Sequence, residues 1–352
     1  ISGLTVGKGA GSNTYNTTVG NSALANGSQT GANNTALGYG TLFSNTSGAS
    51  GTAVGTSALL ANTTGSYNTA VGHQALTSNT TASDNTAVGY QAAYGTTTGY
   101  YNVAIGDNAL LYTTGTRNVG IGMSALQTNS SGGYNVALGY GSLYSNTTAG
   151  NNTAVGYQAG YSNTTGSDST YIGHSSGYYV TTGVQNVGVG TSTLGRNSAV
   201  SATTGSYNTA VGMYSLTFLQ SGTDNTAVGY NSLRSTTTGV NNTAVGSGAA
   251  YVNTTGNSNS ALGINALYNN TTGSDNVALG QQALYSSNTA SYSTAVGFQA
   301  AYYMNGGYNV AVGNGTMQGS GTVANNTGTY NVAIGNLALP SLTSGTYNVA
   351  IG

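Results

Sequence analysis

The 352-residue chain has no cysteine, no tryptophan and no glutamate, a single proline and almost no charge. The missing cysteine excludes disulfide staples, thiolate catalysis and thiolate metal sites. Charged residues are 3% of the chain, against roughly 25% in ordinary soluble domains. Lys8, Arg117, Arg196 and Arg234 stand against Asp84, Asp107, Asp168, Asp224 and Asp275. No basic patch is available to neutralise phosphates, so neither nucleic acid nor anionic lipid is an expected partner. No run of 18 apolar residues is long enough to span a bilayer, so no membrane insertion by this segment is expected. No charged-then-apolar leader opens the chain. It starts and stops in register, at ISGLTVG and NVAIG, and is expected to be a piece of something longer.

What the chain has instead is glycine, 57 residues of it, together with asparagine, threonine, serine and 28 tyrosines, in a short repeat. A unit of the form Asn-Thr/Val-Ala-Val/Ile/Leu-Gly recurs with its closing glycine at 21 positions, from Gly7 to Gly352. Fourteen of the twenty intervals are 17 residues. The longest, 22 residues each, place loop insertions near 191–207 and 314–330. Positions are counted below from that closing glycine as zero.

Position −1 is Val, Ile or Leu in every unit and −2 is Ala in 16. This alternation predicts a short strand. Leucine at +4 predicts a second apolar position and a second short strand, and the following Ser-Asn-Thr-Thr-Gly-Ser reads as a turn. One rung cannot bury its apolar side chains alone, whereas stacked rungs can. The expected fold is all-β: a parallel β-solenoid of about 20 rungs in one continuous array over 1–352. The expected core ladders are Val71, Val88, Ile105, Leu138 and Val155 at −1, and Leu76, Leu110 and Leu143 at +4. Strand alternation then turns Ala70, Ala87, Ala104, Ala137 and Ala154 outward, as a small-residue face for packing against neighbouring chains.

The unit Asn-Val-Ala-Ile-Gly-x-x-Ala at Asn102 to Ala109, with Asn-Thr-Ala-Val-Gly-Tyr-Gln-Ala at Asn85 to Ala92 and Asn152 to Ala159, resembles the head repeat of trimeric autotransporter adhesins. It is also similar to repeats of phage tail fibres and bacterial surface fibres. The resemblance covers the whole chain and implies a left-handed β-roll, three-chain packing and a place at a cell or virion surface. The adhesin rung is about 14 residues, so the present one carries a longer Asn-Thr-Thr-Gly loop.

No catalytic residue, metal or cofactor is expected. Asp84, Asp168, Asp224 and Asp275 all stand five residues before a closing glycine, where a short polar side chain caps a turn. Asp84 and Asp168 are five rungs apart, about 24 Å at the β spacing, beyond the roughly 5–10 Å that paired carboxylates need. His73 and His174 share the +1 position six rungs apart, with no other ligand type near.

Three columns carry information. Asn at −4, in 17 of 21 units, is expected to form a stacked amide ladder tying turn to strand. Tyrosines at +1, +5 and −5 form either a stiffening ladder or a surface for surface glycans or a partner chain. Asn at +7 gives Asn-x-Ser/Thr sequons at Asn45, Asn62, Asn79, Asn129, Asn146, Asn163, Asn253 and Asn270, either as glycan acceptors or as ordinary turn residues. The leading expectation is a non-catalytic structural component of an extracellular fibre that associates with itself into a fibre or trimer. The alternatives are a carbohydrate-binding module and, further off, an ice-binding solenoid using threonines at +8 and +9.

Overall fold

The computed structural model describes residues 6–11, 15–195 and 202–352. Two compact units divide the chain, Ile1–Ile172 and Gly173–Gly352. Each is built from the same element, one strand of about three residues per repeat, and the 17-residue period predicted from sequence is the period of the coil.

In the first unit β1 (Val6–Gly7) is followed by ten strands, β2 (Thr17–Val19) to β11 (Thr170–Ile172), of which β9 is Val136–Leu138 and β10 is Thr153–Val155. Those ten run parallel in exact repeat register: Thr153 pairs with Val136, Ala154 with Ala137 and Val155 with Leu138. In the second unit β12 (Val187–Val189) to β21 (Val349–Ile351) repeat the arrangement, with one 3-10 turn at Val323–Asn325. The array is not parallel throughout, because β1 pairs with β2 antiparallel, Val6 opposite Val19. The insertion expected near 191–207 falls partly on residues 196–201, outside those described. The one near 314–330 is where the 3-10 turn sits.

The leucine column at +4 is buried as expected, with Leu76, Leu110 and Leu143 fully inside. No second strand carries it. Leu76, Leu110 and Leu143 have φ of 50°, 50° and 49°, and Gln74 and Gln91 at +2 have φ of 59° and 51°. Left-handed backbone at non-glycine residues costs roughly 1–2 kcal/mol each. Hydrogen bonds between rungs offset it: Leu59 N–H donates to Ala75 O at 3.0 Å, and Gln74 N–H to Thr56 O at 2.9 Å. The segment is a stacked turn whose amides bond along the coil as a strand's would.

The strand faces the other way from the sequence expectation. Ala70, Ala87, Ala104, Ala137 and Ala154 are fully buried, whereas Val88, Ile105 and Leu138 are exposed and Val71 and Val155 half-exposed. The reason is the width of the rung. Asn at −4 and Ala at −2 share a strand face, and a Cβ at Gly120, a −2 position, would already lie 3.2 Å from Ala125 O at +3 and 3.2 Å from Leu110 Cγ at +4, so the space holds a methyl group and little more. Gly160, at +4 of its rung, shows the same geometry in reverse. There Tyr171 replaces the inward alanine, and its fully buried ring fills the place a leucine would take. A Cβ on Gly160 would lie 2.8 Å from the Tyr171 ring. These two departures from the repeat are one compensating exchange of volume.

Burial pushes the Tyr171 phenol up to about 12, the Ser169 side chain pulling it part of the way back. The folded state therefore holds this proton more tightly than the unfolded chain does. The stability it contributes is whole below pH 10 and is lost as pH rises through about 12. Tyr171→Phe is expected to differ little from the parent at neutral pH. By pH 12 it should resist alkaline unfolding better, by on the order of 2 kcal/mol, as read from denaturant melts against pH. Identical pH profiles would contradict the buried phenol.

Candidate functional site

Two amide columns run through the interior of each unit and meet at one row of carbonyls. Asn152 Nδ2 (position −4) donates to Gly166 O at 2.9 Å, and Asn163 Nδ2 (position +7) donates to the same oxygen at 2.9 Å. Asn135 and Asn146 share Ala149 O in the same way, at 2.9 and 3.0 Å. The −4 column also links rungs: the Asn152 N–H donates to Asn135 Oδ1 at 3.0 Å, and the Ser169 N–H to Asn152 Oδ1 at 2.9 Å. The expected asparagine ladder at −4 is present in this form.

The +7 column corrects the sequon reading. Asn45, Asn62, Asn79, Asn129, Asn146, Asn163, Asn253 and Asn270 are all buried. Asn146 spends both amide protons inside, on Asn129 Oδ1 at 2.9 Å and on Ala149 O. A sugar on that nitrogen would replace an internal hydrogen bond and would have to pass through the packed core. These side chains are therefore not acceptors in the folded chain, and in the Asn-Thr-Thr-Gly loop it is the threonine at +9 that is well exposed, as at Thr64 and Thr165.

The tyrosines form stacks along the coil. In the second unit Tyr251, Tyr268, Tyr285 and Tyr302 at +5 stack with centroids 4.9, 5.2 and 4.9 Å apart, and Tyr292, Tyr308, Tyr330 and Tyr347 at −5 do the same at 4.8, 4.7 and 5.1 Å. In the first unit Tyr140 stacks on Tyr157, Tyr144 on Tyr161 and His73 on Tyr90. Stacking of this kind uses the ring faces that a sugar would need and leaves the edges to solvent. Arg234 lies 5.4–5.6 Å from the rings of Tyr214, Phe218 and Tyr251 and donates to Tyr251 Oη at 2.8 Å. Arg117 sits likewise among Tyr100, Tyr101 and Tyr134. Burial first, and then the neighbours Tyr251 and Tyr285, raise the Tyr268 phenol, Arg234 opposing them.

The carboxylates stay apart. Asp84, Asp168, Asp224 and Asp275 occupy the exposed −5 corner with φ of 58–60°. Asp168 accepts from Asn151 Nδ2 at 3.1 Å and Ser167 Oγ at 2.7 Å. Among the described residues no three His, Asp, Cys or Glu side chains lie together as a metal would require, and no helix is long and apolar enough to cross a membrane.

What the fold does leave open is the outer face of the sheet. In β2–β21 positions −3 and −1 point outward, so Thr, Val or Ser and Val, Ile or Leu form two columns without a charged residue. Leu138 is 45% exposed on β9, while Ala137 beside it is 0% exposed. In the second unit Val245, Leu262, Val277 and Leu279 line a shallow apolar trough on this face. No family model, curated protein or solved structure matches the chain. The outer face is the feature that sequence reasoning missed. Its signal was available in the side chains' sizes, since −4 and −2 hold nearly invariant small residues while −3 and −1 admit Thr, Ser and Val, or Val, Ile and Leu.

Proposed function

We propose that the chain is a structural, non-catalytic component of an extracellular fibre, a head, stalk or shaft at a cell or virion surface, and that copies of it associate through the outer face of the sheet. The uncovered apolar face carries this reading. The largest apolar patch on a typical monomer is about 300–600 Å² and is often a binding surface. At about 4.8 Å between strands and 3.3 Å per residue, the ten strands β2–β11 present a face on the order of 500 Å², made of threonine and valine methyls at −3 and Val, Ile and Leu at −1. Closing two such faces together buries about 1,000 Å², the lower bound for a specific interface. With 3% charged residues, little repulsion opposes the approach. The resemblance to adhesin heads supports a trimer as the assembled state.

The test reverses the sequence expectation for Val155, which as a core residue would not tolerate a charge. On the outer face, Val71→Asp and Val155→Asp should each cost the isolated coil only about 1 kcal/mol. Together they should shift the chain to monomer in sedimentation velocity, while the parent sediments as an oligomer and shows rods in negative stain. A parent that stays monomeric at high concentration, or a double variant that assembles unchanged, would overturn the proposal.

A further inference from the structure

The column Tyr292, Tyr308, Tyr330 and Tyr347 joins two properties, face-to-face stacking and exposure, on the left-handed backbone common to the −5 corner. All four residues adopt φ between 58° and 61°, so the backbone aims each ring the same way. The rings lie within 14° of parallel, with centroids 4.7–5.1 Å apart, and all four are exposed. Corresponding ring carbons therefore sit about one strand spacing apart, on side chains that solvent leaves free to turn.

We propose that this column is a site of oxidative tyrosine coupling within one chain, giving dityrosine between neighbouring rungs. Hydrogen peroxide, acting through a haem peroxidase, is the oxidant. Each of two phenols gives up one electron and one proton, and the peroxide takes both pairs and becomes two waters. The two phenoxyl radicals join through one Cε of each ring, and each ring returns the hydrogen from that carbon to its own oxygen, restoring both phenols. One carbon–carbon bond forms, and the product is two hydrogens lighter. Prealignment makes the second ring present at the high effective concentration of an intramolecular partner, so coupling within the column outpaces encounter between chains. The products are Tyr292–Tyr308 and Tyr330–Tyr347 bonds, or a central Tyr308–Tyr330 bond. Each bolts one turn of the coil to the next.

The full chain, mixed as equal parts unlabelled and nitrogen-15-labelled protein, is treated with a haem peroxidase and hydrogen peroxide, digested, and mapped by mass spectrometry. The expected result is coupled peptides joining neighbours of this column with both halves light or both heavy. Tyr308→Phe with Tyr347→Phe keeps the stacked rings but leaves Tyr292 and Tyr330 two rungs apart, and should abolish coupling in the column. Three results would overturn the proposal: mixed light–heavy products in statistical proportion, tyrosine consumption without coupling at these positions, or coupling of Tyr292 to Tyr330 in the double variant. The two proteins are mixed unfolded and refolded together before oxidation, so isotope pairing separates bonds within a chain from bonds between chains even where copies assemble.

Discussion

Gly139→Ala is expected to unfold the rungs around it, at a cost above about 4 kcal/mol. Gly139 closes β9 with φ of +131°, a backbone conformation essentially reserved for glycine, worth about 1–3 kcal/mol of strain with any other residue. The added methyl would also run into Gly156 O and lie 2.7 Å from its carbonyl carbon. Those are backbone atoms of the next rung. They cannot move aside without lengthening the Gly156 N–H to Leu138 O bond, now 2.8 Å. Because each rung touches only its neighbours, the loss should be local. Amide exchange should accelerate near 136–156 before distant rungs respond, and the melt should broaden. Gly27, which has open space where a Cβ would point, serves as the control and should accept alanine with little change. A variant at Gly139 with the parent's melting curve would show that the rungs are not packed backbone to backbone.

Asn152→Ala is expected to cost on the order of 3 kcal/mol, from an orphaned buried donor and the space left by the amide. The Ser169 N–H loses its acceptor outright, while Gly166 O keeps Asn163 as a second donor. Asn152→Asp separates hydrogen bonding from size. One carboxylate oxygen can still accept from Ser169, but the other faces a carbonyl where an amide N–H stood, in a fully buried site. The acid must be protonated to fit, so its pKa in the folded chain is raised. The stability of this variant should be greatest in acid and fall as pH rises. Chemical denaturation of parent, Asp and Ala variants from acid to neutral pH reads this directly. An Asp variant as stable as the parent at neutral pH would show that the amide column is wet.

Much of this was open to inspection in the sequence. The period, the closing glycine, the buried leucines Leu76, Leu110 and Leu143 and the Asn ladder at −4 all follow from which residue types recur at which spacing. The facing of the strand did not follow, because a three-residue strand has only one inward residue, and hydrophobicity favoured Val155 over Ala154 for it. Hydrophobicity ranks a side chain's preference, whereas the width of the rung decides what fits. The sequons misled in a similar way. Asn146 in a turn-like stretch reads as a surface residue until the turn is seen to fold back onto the −4 column. The exchange of Tyr171 with Gly160 is legible only once both are known to point at the same space.

An interior lined by alanine methyls, leucines and two files of hydrogen-bonded amides differs thermally from an oily core. Unfolding apolar surface raises the heat capacity, while exposing amides lowers it. For each residue that melts, the two contributions here should oppose one another more evenly than in a typical domain, whose increment is roughly 12–15 cal/mol/K per residue. A smaller increment flattens the dependence of stability on temperature, so cooling weakens this coil less than it weakens a globule. Its stability should then vary little between a cold surface and a warm one.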